Sequence, residues 1–258
     1  MKALFLTLGF IMIAKAHSIE YIAHRGLSSE FRENSINAIN NSLNKGFNYL
    51  EVDLHRTKDG HVVAIHDYSV DRTTNSTGAV VDLTLKELKT IDSQIPTLSE
   101  ILTIINSSDL KLILEIKNKN NIYPGIETNI YQITEKYSRD RIIYKSFSRK
   151  VLDRFFSLNS KNTLLYVTIG KLWKFPLYID DWLRIGSIFD YDKANLIQVH
   201  KSFLSKAFIK EAHALGKKII VWDIQNYKSY LRAKDLKVDM IETDYPPASL
   251  TEKPSFSK

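Results

Sequence analysis

Nine short apolar runs alternate along the chain with segments of helical spacing, and that alternation limits the fold more than any other feature. The runs are IEYIAH, YLEVDL, HVVAIH, KLILEI, RIIYKSF, TLLYVT, NLIQVH, KIIVWDI and DMIETD. Between them lie segments such as NSINAINNSLNKG and KSFLSKAFIKEAHALG, whose apolar residues recur at helical intervals. Strand and helix in alternation over most of 258 residues predict a (β/α)8 barrel. A doubly wound sheet is the other arrangement with this pattern. The turn after the first run, GLSSEF, lacks the glycine spacing of its dinucleotide-binding loop.

Nine runs are one too many for eight barrel strands, and the surplus has a local source. Asp59-Gly60 lies between two runs and predicts a β-hairpin extending from the second strand. With Asp59-Gly60 as a two-residue turn, Lys58 pairs with His61 and Asp53 lies opposite His66. Glu51, Asp53 and His66 then share one face.

The first sixteen residues, MKALFLTLGFIMIAKA, combine Lys2, an apolar stretch and an Ala-Lys-Ala site, the pattern of a cleaved export signal. The expectation is a signal peptide over 1–16, one domain over 17–258 and a periplasmic or secreted product. No later segment is long and apolar enough to predict stable membrane insertion. With no cysteine, disulfides, a thiolate nucleophile and thiolate-bound zinc are excluded. The net charge of +7 is not gathered into runs, so nucleic-acid binding is not indicated, although a basic surface favours anionic substrates.

Charged residues collect where strands are predicted to end: His24-Arg25, Glu51-x-Asp53, His66-Asp67 and Glu115-x-Lys117. In a barrel those ends form the catalytic face. Glu51 and Glu115, set in apolar runs, need a cation or protonation, and with Asp53 they make an all-oxygen donor set that suits Ca²⁺ or Mg²⁺ better than zinc. Arg25 and Lys117 can hold a phosphate. His24 and His66 supply a general acid and base near neutral pH. Together these groups predict metal-assisted phosphoryl transfer.

The segments IAHRG…REN, YLEVDLHRTKDGHVVAIHDYSVDRTTNSTG, IPTLSEIL, LILEIK and ETDYP resemble, in order, the motifs of the glycerophosphodiester phosphodiesterase family. The resemblance implies a (β/α)8 barrel that hydrolyses small-molecule glycerophosphodiesters to glycerol 3-phosphate and an alcohol. It implies His24 and His66 as acid/base groups, Glu51, Asp53 and Glu115 as divalent-metal ligands, Arg25 and Lys117 as phosphate contacts, and Trp222 as an aromatic lining the pocket. It further implies attack of the glycerol 2-hydroxyl on phosphorus, giving a cyclic phosphate that water opens.

The chain departs from the family's Pro-Glu-Asn-Thr, carrying Arg32-Glu33-Asn34-Ser35, where Asn34 or Ser35 can cap the following helix. His55 shares the face of Glu51 and Asp53 but nears the turn, and His200 ends another strand. A core or surface role is the expectation for both. Alternative activities are a phospholipase D of the spider-venom type, against which the lack of cysteine weighs, a phospholipase C, and a barrel that binds phosphodiesters without cleaving them.

Overall fold

The computed structural model describes residues 18–168, 170–172 and 177–252. The expected signal peptide lies outside them. Eight parallel strands close into a barrel in the order β1 (Glu20–Ala23), β2 (Tyr49–Arg56), β4 (Lys111–Ile116), β5 (Ile142–Ser146), β6 (Thr163–Val167), β10 (Leu196–His200), β11 (Lys218–Trp222) and β12 (Met240–Thr243), with β12 pairing back onto β1. β3 (Val62–Ala64) pairs antiparallel with β2 as the expected hairpin extension. The helices are α1 (Ile36–Ser42), α2 (Leu85–Ile91), α3 (Leu98–Ile105), α4 (Ile126–Thr134), α5 (Arg149–Leu158), α6 (Lys206–Ala214), α7 (Tyr227–Asp235) and α8 (Pro247–Thr251). None among the described residues is long and apolar enough to cross a membrane.

The fifth crossover, between β6 and β10, differs from the expected pattern. After β6 the chain forms a small antiparallel sheet of β7 (Gly170–Leu172), β8 (Leu177–Ile179) and β9 (Leu183–Ile185) in place of a helix. Its sequence, GKLWKFPLYIDDWLRI, is rich in aromatic residues that favour strands, and Pro176 opposes a helix.

Two-residue periodicity divides the barrel strands. One set of side chains, including Leu50, Val52, Leu112 and Leu114, faces the helices and joins the main apolar core. The alternate set points inward. Its floor is a separate apolar cluster of Ile22, Tyr49, Ile113, Ile143, Leu165, Leu196, Ile220, Met240 and their neighbours. Two residues further along these strands come Glu51, Glu115, Lys145, Gln198, Trp222 and Glu242, so the same alternation that builds the floor places a polar layer above it.

The hairpin register corrects the expectation. Leu54 pairs with Ala64, His55 with Val63 and Arg56 with Val62. Ile65, not His66, therefore lies across from Asp53, and its N–H donates to the Asp53 carbonyl at 3.0 Å. The loop holds three residues, Lys58 to Gly60, because Gly60 takes the left-handed conformation (φ 90°) that a three-residue hairpin requires at its last position. Thr57 closes the loop by accepting from the His61 N–H at 2.9 Å. The faces follow: Val62 and Ala64 join the main core, while Val63 and Ile65 pack with Val70, Val80, Leu88 and Ile95 in a core of the extension's own.

Candidate active site

His24 follows β1, and the next two residues turn the chain sharply, Arg25 with φ 58° and Gly26 with φ 81°. The turn aims the Arg25 N–H at Glu51 Oε2 (3.1 Å) and brings its guanidinium into an ion pair with Asp53, Nε lying 3.1 Å from Oδ2. A side chain on Gly26 would meet the Ala38 backbone at 2.7 Å, so this turn packs directly on α1. Ser35 caps α1 by accepting from the Ala38 N–H. Asn34 instead braces a carboxylate, its Nδ2 donating to Asp53 Oδ2 at 2.9 Å and its Oδ1 accepting from the Asp53 N–H at 3.1 Å.

The parallel register sets Asp53 beside Glu115 and Glu115 beside Lys145. Glu51, Asp53 and Glu115 are buried, and one oxygen from each lies within 4.8 Å of the others. Lys117 Nζ sits 3.0 Å from Asp53 Oδ1 and also contacts Glu115 Oε1. Burial pushes the Glu51 carboxyl up to about 7, since Lys145 only partly offsets the desolvation and the repulsion of Asp53 and Glu242. Asp53 is held far below the usual carboxylate range: burial opposes this, but Lys117 and Arg25 outweigh it. The residues fit a divalent cation, because they present hard oxygen donors and one of them is poorly compensated without it.

Each expected acid/base histidine carries a carboxylate on Nδ1. His24 Nδ1 is 2.8 Å from Asp244 Oδ1, which also accepts from Ser28 Oγ. His66 Nδ1 is 2.6 Å from Asp67 Oδ1, and Arg72 Nη1 reaches Glu33 Oε2 at 3.0 Å while its Nε contacts Asp67. In both rings Nε2 is thereby left for chemistry. Burial alone would lower His24, but the Asp244 hydrogen bond and the charges of Glu242 and Glu51 raise it to about 9. His66 is shifted down, mainly by burial, with Lys117 and Arg25 adding to the effect against Asp53. His66 reaches this field although it is not opposite Asp53, because β3 ends at Ala64 and the chain bends there.

His55 is buried and keeps clear of the acid/base chemistry. Its Nδ1 pairs with Tyr123 Oη at 2.8 Å and its Nε2 with the His66 carbonyl at 3.1 Å, while burial lowers it to about 4. The neutral ring donates from Nε2 and holds the His66 backbone. Trp222 and His200 end adjacent strands in register, their rings 5.3 Å apart edge to face. Beside Lys117 and Glu115 a cavity of about 190 Å³ continues between Tyr68, Phe147 and Asp181.

The glycerophosphoryl diester phosphodiesterase family model matches residues 24–248. The chain belongs to this family. A glycerophosphodiester phosphodiesterase of Caldanaerobacter subterraneus subsp. tengcongensis is 32% identical over 87% of this chain and 93% of its own length. One from Bacillus altitudinis is 29% identical, with 87% and 94% covered. Among solved structures, an Oleispira antarctica phosphodiesterase in complex with its product sn-glycerol-3-phosphate shares the fold at a TM-score of 0.77 and 22% identity, covering 88% of this chain and 93% of that one.

Within the family frame, the residues to which sequence reasoning gave no site role are the supports. Asp244 and Asp67 orient the histidines, Asn34 and Glu33 brace Asp53 and Arg25, and Lys145, Gln198 and Glu242 fill the polar layer. A signal for the last three was present: a polar residue directly after an apolar one at the inward positions of IIYKS, LIQVH and MIET, where Ile143, Leu196 and Met240 precede Lys145, Gln198 and Glu242.

Proposed function

We propose that the chain hydrolyses glycerophosphodiesters to glycerol 3-phosphate and an alcohol, with Glu51, Asp53 and Glu115 holding a divalent ion and His24 and His66 moving protons. The observation that carries this reading is the placement of two Nδ1-anchored histidines beside three buried carboxylates, with Arg25 and Lys117, at one barrel mouth. When bound, the ion supplies Lewis-acid stabilisation of charge on the phosphate and lowers the pKa of a substrate hydroxyl.

The residues divide the remaining work. Arg25 and Lys117, both partly exposed and pointed at the carboxylates, orient the anionic phosphodiester. His66, neutral near pH 7, takes the proton of the glycerol 2-hydroxyl as that oxygen attacks phosphorus. His24, protonated at the same pH, gives its proton to the departing alcohol oxygen. In the second step the roles reverse: His24 takes a proton from water and His66 returns one to the 2-oxygen as the cyclic phosphate opens. Trp222 walls the glycerol side, and the cavity by Tyr68 and Phe147 receives the alcohol.

The test is release of glycerol 3-phosphate from glycerophosphocholine, with and without chelator. Release that stops on chelation and returns with a divalent ion supports the reading; binding of the diester without release overturns it.

A further inference from the structure

Lys145 is a buried cation at the mouth that takes no part in the proposed proton transfers or phosphate binding. It is 2% exposed and its ammonium reaches three carboxylates: Glu51 Oε1 at 3.0 Å, Glu115 Oε2 at 3.0 Å and both oxygens of Glu242 at 3.1 Å. Gln198 Nε2 fixes Glu242 from the far side at 2.7 Å. An ammonium has three N–H donors, and here each has a carboxylate. Lys117 differs, since it is 15% exposed and can withdraw toward solvent. Lys145 has no such route, because leaving would strand the buried charge of Glu242 with only Gln198 and a His24 ring 4.0 Å away to answer it.

The consequence is an inventory of free oxygens. Lys145 occupies one oxygen of Glu51 and one of Glu115. The second oxygen of Asp53 is taken by Asn34 Nδ2 at 2.9 Å and Arg25 Nε at 3.1 Å. Each ligand therefore retains one oxygen with no fixed cation on it, since Glu51 Oε2 accepts only the neutral Arg25 N–H at 3.1 Å and Asp53 Oδ1 and Glu115 Oε1 meet only the more exposed Lys117, and neither glutamate can offer two cation-free oxygens to the same ion. Calcium takes six to eight oxygens and commonly grips carboxylates through both. Magnesium takes six, keeps several waters, and is well served by single carboxylate oxygens and a phosphate.

We propose that Lys145, anchored by Glu242 and Gln198, restricts the site to one oxygen per carboxylate and so selects magnesium over calcium. This rests on the reading that Glu51, Asp53 and Glu115 hold a divalent ion. The test is calorimetric titration of chelator-treated full-length protein with MgCl2 and with CaCl2. The wild type is expected to bind Mg²⁺ at least as tightly as Ca²⁺. The double variant Lys145→Met with Glu242→Leu removes the cation and its anchor together, and Lys145→Gln with Glu242→Gln does so with polar side chains in case the first does not fold. In either, checked by circular dichroism, the ratio of the two dissociation constants should move toward calcium by about tenfold or more, a difference of roughly 1.4 kcal/mol. Tighter binding of Ca²⁺ by the wild type, no binding of either ion, or an unchanged ratio in a folded variant overturns the proposal. Glycerol 3-phosphate release is measured in parallel: Mg²⁺ binding of the expected selectivity without product release would sink the proposed activity and leave the selectivity standing.

Discussion

At the scale of single residues the site works by opposed shifts on like groups. His24, with Asp244 on Nδ1 and Glu242 and Glu51 nearby, keeps its proton to about 9, whereas His66, beside Lys117 and Arg25, loses its proton below the ordinary histidine value. The pH profile of kcat/KM should rise as His66 becomes neutral, hold through neutrality and fall near 9 as His24 deprotonates. Asp244→Asn removes the partner that raises His24, so the alkaline limb should move down by about one pH unit or more while the acid limb stays. An unmoved alkaline limb would assign it to another group. His66→Ala and His24→Ala should each lower turnover by roughly 10²–10⁴-fold, and the double variant by far less than the product, because the two act as a unit. The residues bearing charge in short motifs were legible in the sequence. Their supports were not, since Asp244 meets His24 from 220 positions away and only closure of the barrel brings them together.

At the scale of elements, alternation was the legible property and the turn was not. The eight strands and the hairpin follow from apolar periodicity, and the inward placement of Glu51, Asp53 and Glu115 follows from its two-residue step. Asp59-Gly60 marked the hairpin correctly, but a Gly in the left-handed conformation suits the last place of a three-residue loop as well as a two-residue turn, and the difference shifts the pairing by one. What fixes the register is burial on both faces, with Val62 and Ala64 in one core and Val63 and Ile65 in another. A residue inserted between Asp59 and Gly60 should therefore lengthen the loop without slipping β3. Thermal unfolding should show a loss under about 1 kcal/mol, and turnover should stay near wild type. Gly26→Ala should behave oppositely: the left-handed φ of 81° and the Ala38 backbone 2.7 Å from the new methyl predict a loss of about 2–5 kcal/mol.

For the whole molecule, the balance of charge at the mouth joins stability to function. Four buried carboxylates, Glu51, Asp53, Glu115 and Glu242, face three cations, Arg25, Lys117 and Lys145, while the charge of His24 is matched by Asp244, so the ion-free protein carries an excess of negative charge there. Glu51 bears that excess, its pKa raised by burial and by its neighbours to about 7. A carboxyl raised on folding favours the native state below its unfolded value, and that contribution disappears as pH rises through the folded one. Chelated wild-type protein should accordingly lose stability relative to chelated Glu51→Gln between about pH 4.5 and 7, the variant having no charge to bury. Adding the ion should reverse the order. At a hundred times its dissociation constant a native-state ligand adds about 2.7 kcal/mol, which for a chain of this size raises Tm by roughly 5–10 °C. The wild type should show that rise and Glu51→Gln little of it, read by scanning calorimetry at about pH 7.5, just above the folded Glu51 value, with and without ion. Equal rises in the two proteins would remove Glu51 from the ion site, and a chelated wild type more stable than the variant across this range would show that its charge is already balanced without one.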